Sequence, residues 1–165
     1  MPSDIFAKLG DIKGESLDAK HKDEIEVLSF SWGVANTVAP GGAGGGGGGG
    51  GAGQATFHDL SFVHRIDRAS PLLMKACATG THIKEATLTN RKAGKTQHEY
   101  LIVKMNDIII TGVAPSGVAG QPDTGSEMVT LTFAKVDLEY KTQNPNGTPG
   151  GGVSFRYDLT THKTF

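Results

Sequence analysis

The sequence has little of several features that would point to a particular class of protein. Cys77 is the only cysteine among 165 residues, so no intrachain disulfide can form and most structural zinc sites are excluded. Sixteen basic residues are matched by 17 acidic ones, and a formal net charge of −1 gives no field to hold a nucleic acid. No apolar run approaches the ~20 residues of a membrane span. We therefore expect a protein of a reducing compartment that neither binds nucleic acid nor inserts into a membrane.

The start of the chain lacks the pattern of an exported protein. No basic residues followed by an apolar run are found in the first sixteen residues, MPSDIFAKLGDIKGES, so we expect no secretory signal peptide. This excludes the general export route but leaves other routes of secretion open.

Recognisable catalytic and metal-binding motifs are missing as well. The six histidines form no HxH or HExxH pattern, and His58 and His64, six residues apart, are too distant to hold one metal without further ligands. Asp59, Asp67 and Glu85 are candidate carboxylates, but no spacing fixes the distances between them. We therefore predict that the chain is not an enzyme and has no catalytic residues, no metal site and no cofactor.

Other reactive side chains have simpler explanations than catalysis. Ser70 lies where a helix needs an N-cap, and Cys77 lies on a helix face that we expect to be buried as an inert thiol. Acidic residues accompany the clustered basic ones, so we predict a solvated face rather than a basic patch for Arg65, Arg68, Arg91, Lys92 and Lys95.

Glycine, by contrast, is abundant, with 24 residues in the chain. Eleven of them fall in residues 36–53, NTVAPGGAGGGGGGGGAG, which match a loose GxGxxG pattern in several registers. No Lys-Ser/Thr pair and no acidic residue follows at the spacing of a nucleotide-binding loop, so the match has no meaning. We predict a flexible surface loop between two strands, which a partner subunit could order.

Only one segment is typical of a helix, and it runs from Ser70 to Gly80. Pro71 suits the first helical position, and Gly80 suits a C-cap with positive φ. A short helix is marginal alone and needs a packing partner. Because nearly everything else has strand patterns, we expect the helix to plug one end of a barrel. Its apolar stripe is predicted to contain Leu73, Ala76 and Cys77, with Leu72 beside it.

The clearest amphipathic strand covers residues 24–34, EIEVLSFSWGV. Its apolar face, which we expect to be buried, contains Leu28, Phe30 and Trp32. Its opposite face, which is small and hydroxylic and should be wet, contains Ser29 and Ser31.

A second long strand pattern, residues 128–141, changes phase halfway, which predicts a β-bulge near Ala134 and Lys135. The chain has about seven or eight such strand patterns, several longer than the ~6-residue norm. We therefore predict a mainly β fold: one domain over residues 1–165, an antiparallel β-barrel with a single short α-helix packed at one end.

Several separate motifs resemble one family over essentially the whole chain. They are DIFAKLGDIKGES at 4–16, SWG at 31–33, HDLSFVHRIDRASPLLMKACATG at 58–80 and EMVTLTFAKV at 127–136. In these motifs the chain is similar to the haemolysin-coregulated proteins (Hcp) of bacterial type VI secretion systems.

The resemblance implies a role as well as a fold. Members of the family are β-barrels with one helix that form homohexameric rings, and the rings stack into the inner tube that a contractile sheath expels. Implied partners are other copies of the chain, the sheath, spike and baseplate proteins, and effectors carried in the ring. Implied locations are the bacterial cytoplasm before firing and the extracellular space or target cell afterwards. Members without an extra domain are not enzymes.

The resemblance also assigns roles to particular residues. Ser29 and Ser31 are expected to line the ring lumen and contact cargo. An inter-subunit or stacking loop is expected at the glycine tract, with contacts made by its flanking residues Asn36, Thr37, Val38, Gly53 and Gln54.

Two other function classes stay open from the residues alone. One is a small hydrolase or transferase whose site is dispersed along the sequence. The other is a monomeric barrel that binds a carbohydrate or peptide. The particle mass separates the second from a ring, because a ring has six times the 17.2 kDa of one chain.

Overall fold

The computed structural model describes residues 3–36 and 55–165, which form eleven strands and one α-helix. The first half comprises β1 (Ser3–Leu9), β2 (Ile25–Ser31), β3 (Val34–Asn36), β4 (Ala55–Phe57), β5 (Leu60–Arg65) and α1 (Ser70–Thr79). The second half comprises β6 (His82–Lys92), β7 (His98–Ser116), β8 (Ser126–Thr132), β9 (Lys135–Gln143), β10 (Pro149–Asp158) and β11 (Lys163–Thr164). The glycine tract, apart from Asn36, lies outside the described residues.

Six antiparallel strands close a barrel in the order β7, β6, β1, β2, β5, β8 and back to β7. Its inward residues alternate along each strand and form one apolar core. The prediction of an antiparallel β-barrel with one short helix is therefore confirmed. Fully buried members of the core include Leu9, Ile25, Leu60, Phe62, Leu88, Ile108, Ile110 and Leu131.

The 19-residue strand β7 shares one edge between two partners. Its second part pairs with β8 and closes the barrel, while residues 101–106 pair with β9. Strands β9, β10 and β11 therefore continue the barrel sheet beyond β7 as a three-stranded extension, which we call the wing. The wing exists because a single long strand can carry more than one neighbour along the same edge.

The phase change predicted for residues 128–141 occurs where the barrel and the wing separate. Phe133 and Ala134 interrupt the pattern between β8 and β9, and the Ala134 N–H donates to the Asn106 carbonyl at 3.0 Å. Asp107, next to that carbonyl, has a φ of 53°. The predicted β-bulge is thus a break between two strands, because the chain leaves the barrel at this point.

The predicted buried face of β2 is only partly correct. The register between β2 and β5 shifts between Val27 and Ser29, which inserts Leu28 as an extra residue. Such a bulge turns the strand over, so Val27 is buried whereas Leu28 is 52% exposed. Phe30 and Trp32 are half-buried and pack against the core as predicted.

Helix α1 begins one residue earlier than its predicted cap implies. Ser70 is the first helical residue, not the N-cap, and the N-cap is Ala69, which makes no side-chain cap bond. The Asp67 carboxylate accepts the Ala69 N–H at 2.8 Å, and the Ser70 hydroxyl accepts the Asp67 N–H at 3.2 Å, so both side chains stabilise the turn that leads into the helix. At the other end Gly80 has a φ of 62° and closes the helix as predicted.

The face that α1 buries is narrower than the predicted stripe. Leu73 and Ala76 are buried, and Cys77 is half-buried against the core. Leu72 is exposed, so it lies outside the contact with the barrel.

Candidate assembly surfaces

One side of the barrel presents two cross-strand rows of small or uncharged side chains. In the first row Ser31 pairs with Ser61, Ser61 with Thr130 and Thr130 with Gly112. The second row, one step along the strands, contains Ser29, Val63, Met128 and Ala114. We call these eight residues the open wall. Ser29 and Ser31 are exposed on it, as the strand pattern predicted.

The opposite side of the barrel is covered by the connection between β1 and β2, residues 10–24. Arg91 of β6 is only 2% exposed and binds Asp18 of this connection through both of its terminal nitrogens, at 3.0 and 2.6 Å. A third hydrogen bond, of 3.1 Å, joins Arg91 to Asp4 of β1. The hydrogen bond from the guanidinium holds the pKa of Asp18 far below its usual range.

Additional contacts fasten the same connection next to Arg91. The His21 ring stacks on Phe6 with centroids 4.4 Å apart, and its nitrogens lie 2.8 Å from both Glu24 and Glu99. Ser16 is completely buried and exchanges backbone hydrogen bonds with residues 23 and 24. We call this side, from β1 across β6 to the start of β7, the covered wall.

The basic residues grouped by the sequence do not share one solvated face. Arg65 and Arg68 form exposed ion pairs with Asp123 and Asp23, as expected for surface residues. Arg91, which was predicted to be solvated, is buried instead. Its partner Asp18 lies 73 residues earlier in the sequence, so no local pattern indicates the pair.

The wing has one charged face and one apolar face. Cross-strand ion pairs on the charged face join Lys135 to Asp158 and Arg156 to Asp137. The apolar face continues the barrel interior outward, from buried Val136 to an exposed end. The residues of that end are Val153, Tyr140 and Phe155, which are 69%, 45% and 36% exposed. Tyr140 and Phe155 are partly covered, because each has an aromatic neighbour in the chain, Tyr100 and Phe57 respectively.

The candidate catalytic residues form no accessible site. His64 points into the barrel, where Nε2 is 2.9 Å from a Glu127 carboxylate oxygen and Nδ1 is 3.8 Å from Asp67. His64 and Glu127 are fully buried, so no substrate can reach the pair. Burial raises the pKa of the Asp67 carboxyl.

The remaining candidates are dispersed. Asp59 accepts a hydrogen bond from the Thr111 hydroxyl at 2.7 Å, and His58 lies at the base of the β3–β4 hairpin. Within the described residues, no group of three or more His, Cys, Asp or Glu side chains could hold a metal ion.

The interior of the barrel is filled by side chains. Between Leu9, Phe62 and Met105 it leaves a void of only about 10 Å³. Ligand pockets usually measure roughly 300–1,000 Å³. A small ligand therefore has no room inside this barrel, which argues against the interpretation as a monomeric carbohydrate- or peptide-binding barrel with an internal site.

Comparisons with known proteins agree with the resemblance seen in the motifs. The family model "Type VI secretion system effector, Hcp" matches residues 6–140. The chain is 44% identical over 153 residues to Protein hcp1 of Pseudomonas aeruginosa, covering 92% of this chain and 91% of that protein.

Solved structures give the same result. Hcp1 from Salmonella typhimurium is 39% identical with a TM-score of 0.79, and both chains are covered completely. A structure described as a type six secretion system protein is 28% identical with a TM-score of 0.92, covering 99% of this chain and 100% of that one.

These matches fix the family and the general role of the protein. Among the described residues, no helix is both long and apolar enough to cross a bilayer. Hcp proteins are non-enzymatic tube proteins that are secreted through the type VI system, and family membership implies a homohexameric ring that works with the secretion machinery. The chain belongs to the Hcp family, and its function is that of a tube protein of a type VI secretion system.

Proposed function

We propose that the chain closes into its hexameric ring with the open wall facing the lumen and the apolar face of the wing against the neighbouring subunit. Stacked rings then form the inner tube, which holds effectors before it is expelled from the bacterial cytoplasm into the extracellular space or a target cell. The observation that carries the proposal is the exposed apolar end of the wing.

The wing supports a contact between subunits because its apolar face is too exposed for an isolated chain. The exposed end of this face extends the core and consists of Val153, Tyr140 and Phe155. Burying apolar surface of this kind against a partner gains about 25 cal/mol per Å² of area removed from water. In a closed ring every wing has a neighbouring subunit. In an open chain of subunits, the wing at one end stays exposed.

The open wall suits a water-filled channel. Its two rows carry no charge, and their side chains are short apart from Met128, so cargo of either sign meets no repulsion there. We assign Ser29 and Ser31 to the lumen surface that contacts cargo, because both are exposed and their hydroxyl groups can donate and accept hydrogen bonds.

The loop between β3 and β4 is the proposed stacking element. Asn36 is exposed at the end of β3, and the other assigned residues, Thr37, Val38, Gly53 and Gln54, lie outside the described residues. Glycines permit close approach of two backbones, which supports contact between this loop and a neighbouring subunit or ring.

The tube must also meet other components of the secretion machinery. We propose that its ends and outer surface contact the spike, baseplate and sheath proteins, and that effectors bind inside the lumen. Family membership supports these partners, while the open wall supports the position of the effectors.

Light scattering of the purified protein tests the ring first. The expected mass is six times the 17.2 kDa of the chain. Val153→Asp places a charge on the apolar face of the wing and should give monomers. Val118→Asp, on an exposed loop away from the wing, is the matched control and should keep the ring mass. A monomeric wild-type protein contradicts the ring, and hexameric Val153→Asp contradicts the assigned contact.

A pull-down of cargo tests the lumen assignment. Ser31→Gln rings should bind less cargo than wild-type rings, because the longer side chain projects from the open wall. Ser154→Gln, on the charged face of the wing, is the control. Equal cargo binding by Ser31→Gln and wild-type rings would remove Ser31 from the cargo surface.

Deletion of residues 44–51 tests the stacking element. The variant should form rings of the mass expected for its shorter chain but assemble into fewer tubes in electron micrographs. Tubes as long and as frequent as those of the wild type would count against a stacking role.

A further inference from the structure

The β3–β4 hairpin leaves the barrel without joining its sheet. In the described chain, β3 pairs only with β4, and the two form a sheet of their own. One hydrogen bond, from the His58 N–H to the Gly33 carbonyl at 2.9 Å, closes the hairpin base. No ladder of backbone hydrogen bonds joins the described strands of the hairpin to the barrel, so side-chain contacts contribute to its direction.

Phe57, the last residue of β4, makes those side-chain contacts. Its ring centroid is 4.8 Å from that of Tyr157, 6.2 Å from that of Trp32 and 6.5 Å from that of Phe155. All three distances lie in the range of favourable aromatic pairs, about 4.5–7 Å. Trp32 in turn lies 5.7 Å from Phe133 between the barrel and the wing. We call Trp32, Phe57, Phe155 and Tyr157 the aromatic joint.

The aromatic joint reaches the surface that we assign to the neighbouring subunit. Phe155 contacts Phe57 and also belongs to the exposed apolar end of the wing. Val153, two residues earlier on β10, shares its face of the sheet. A neighbour seated on Val153 therefore restricts Phe155, and Phe155 restricts the hairpin through Phe57.

We propose that Phe57 is a positioning residue that orients the β3–β4 hairpin, and that the neighbouring subunit strengthens this orientation through Phe155. Ring closure and hairpin orientation are then coupled, so a closed ring presents its hairpins ready to meet the next ring. The coupling to the neighbour rests on the proposed contact at the wing, whereas the role of Phe57 within one chain does not.

Trp32 is the only tryptophan in the chain, so its fluorescence reports on the joint without labelling. The experiment compares wild type, Phe57→Ala, Val153→Asp and the double variant. For each, light scattering gives the particle mass, acrylamide quenching gives the accessibility of Trp32, and electron microscopy counts stacked rings. Circular dichroism confirms that each variant is folded.

Phe57→Ala should keep the wild-type particle mass, make Trp32 easier to quench and lose most stacked rings. Phe57→Tyr, which keeps the aromatic side chain, should restore the stacking of protein rings and return the quenching of Trp32 to the wild-type level. Val153→Asp should also make Trp32 easier to quench, although Val153 is not part of the joint. The double variant should be quenched no more than Phe57→Ala alone, because coupled positions are not additive.

Two results overturn the proposal. One is a Phe57→Ala ring that stacks as the wild type does. The other is a Val153→Asp variant in which Trp32 is quenched as in the wild type, or a double variant in which the increases in quenching of the two single variants add in full. If Phe57→Ala does not fold, Phe57→Leu replaces it under the same criteria, because leucine keeps most of the volume without the ring.

The design separates this proposal from the ring itself. The wild-type mass alone decides whether a ring forms. Comparing wild type with Phe57→Ala tests the positioning role on particles of the same mass, whatever that mass is.

Discussion

The two walls of the barrel are built from the same kind of strand but differ in what lies over their outer face. On the covered wall, buried Arg91 binds Asp18 of the connection at residues 10–24 and Asp4 of β1. His21 of the same connection stacks on Phe6. On the open wall, no segment of the described chain lies over the rows that contain Ser29 and Ser31, which remain exposed.

This difference shows which surface the chain completes by itself. On the covered wall, Arg91 and His21 have carboxylate partners within one subunit. The open wall carries no charge, and Met128 is its only long apolar side chain, which suits the proposed channel surface. The wing has an exposed apolar end, which is where we propose that the neighbouring subunit binds.

The largest expected effect comes from breaking the covered wall. Arg91→Met removes the buried cation between Asp18 and Asp4. Loss of one member of a fully buried ion pair costs about 3–5 kcal/mol, and this is the upper bound here because both carboxylates are partly exposed. Arg156→Met is the control, because its pair with Asp137 is exposed and is worth about 0–1 kcal/mol. Urea unfolding at one fixed protein concentration measures both. Equal losses in the two variants would contradict the role of Arg91 in stabilising the covered wall.

The same contact predicts a pH dependence. Because the folded-state pKa of Asp18 lies below its ordinary 3.8, its contribution to stability is present above that value and is lost as the pH falls toward the folded-state pKa. The stability difference between wild type and Arg91→Met should therefore shrink below about pH 4. Urea midpoints measured from about pH 7 to about pH 2 check this, and a constant difference would contradict it.

One matched pair of serine substitutions sharpens the comparison. Ser16 is fully buried in the covered wall, so the extra methyl group of Ser16→Thr should cost about 1–3 kcal/mol. Ser31→Thr adds the same group to an exposed strand position and should change stability by less than about 0.5 kcal/mol. Thermal unfolding measures the stability of both variants. A larger loss of stability in Ser31→Thr than in Ser16→Thr would mean that Ser31 is packed against other residues and not exposed.

The smallest expected effect tests the packing within the open wall. A Cβ at Gly112 would lie 2.6 Å from Thr130 Oγ1, whose hydroxyl group is hydrogen-bonded to Thr111 Oγ1 at 3.1 Å. Gly112→Ala should turn Thr130 away and cost about 0.5–1.5 kcal/mol, the worth of one hydrogen bond. In a Thr130→Ala background the cost should largely vanish. Equal costs in both backgrounds would exclude Thr130 as the cause.

Much of the fold could be predicted because its signals are local. The helix and Gly80, the outward direction of Ser29 and Ser31, and the phase change near Ala134 follow from side-chain periodicity and backbone preferences. The direction of Leu28 could not be predicted, because a bulge depends on the register with β5. The replacement of the predicted β-bulge by a strand break depends on how β7 divides its edge between β8 and β9.

The candidate site was predictable to a smaller extent. Motifs identified the family, and strand alternation placed Ser29 and Ser31 on the open wall. The wing contact and the aromatic joint could not be found in the same way, because Phe57 and Tyr157 are distant in sequence and meet only through the packing of the hairpin on β10.

By itself, the sequence determined the kind of protein: a barrel of alternating strands with one helix, few reactive groups and the motifs of a tube subunit. Side-chain periodicity and the backbone preferences of turn residues depend on a few neighbouring residues, so they can be recognised in the sequence without knowledge of the fold. Only the tertiary structure decided that Arg91 is buried, that the barrel interior holds no ligand cavity and that the apolar end of the wing is exposed. These properties depend on which strands become neighbours, and strand pairing joins residues far apart in the chain.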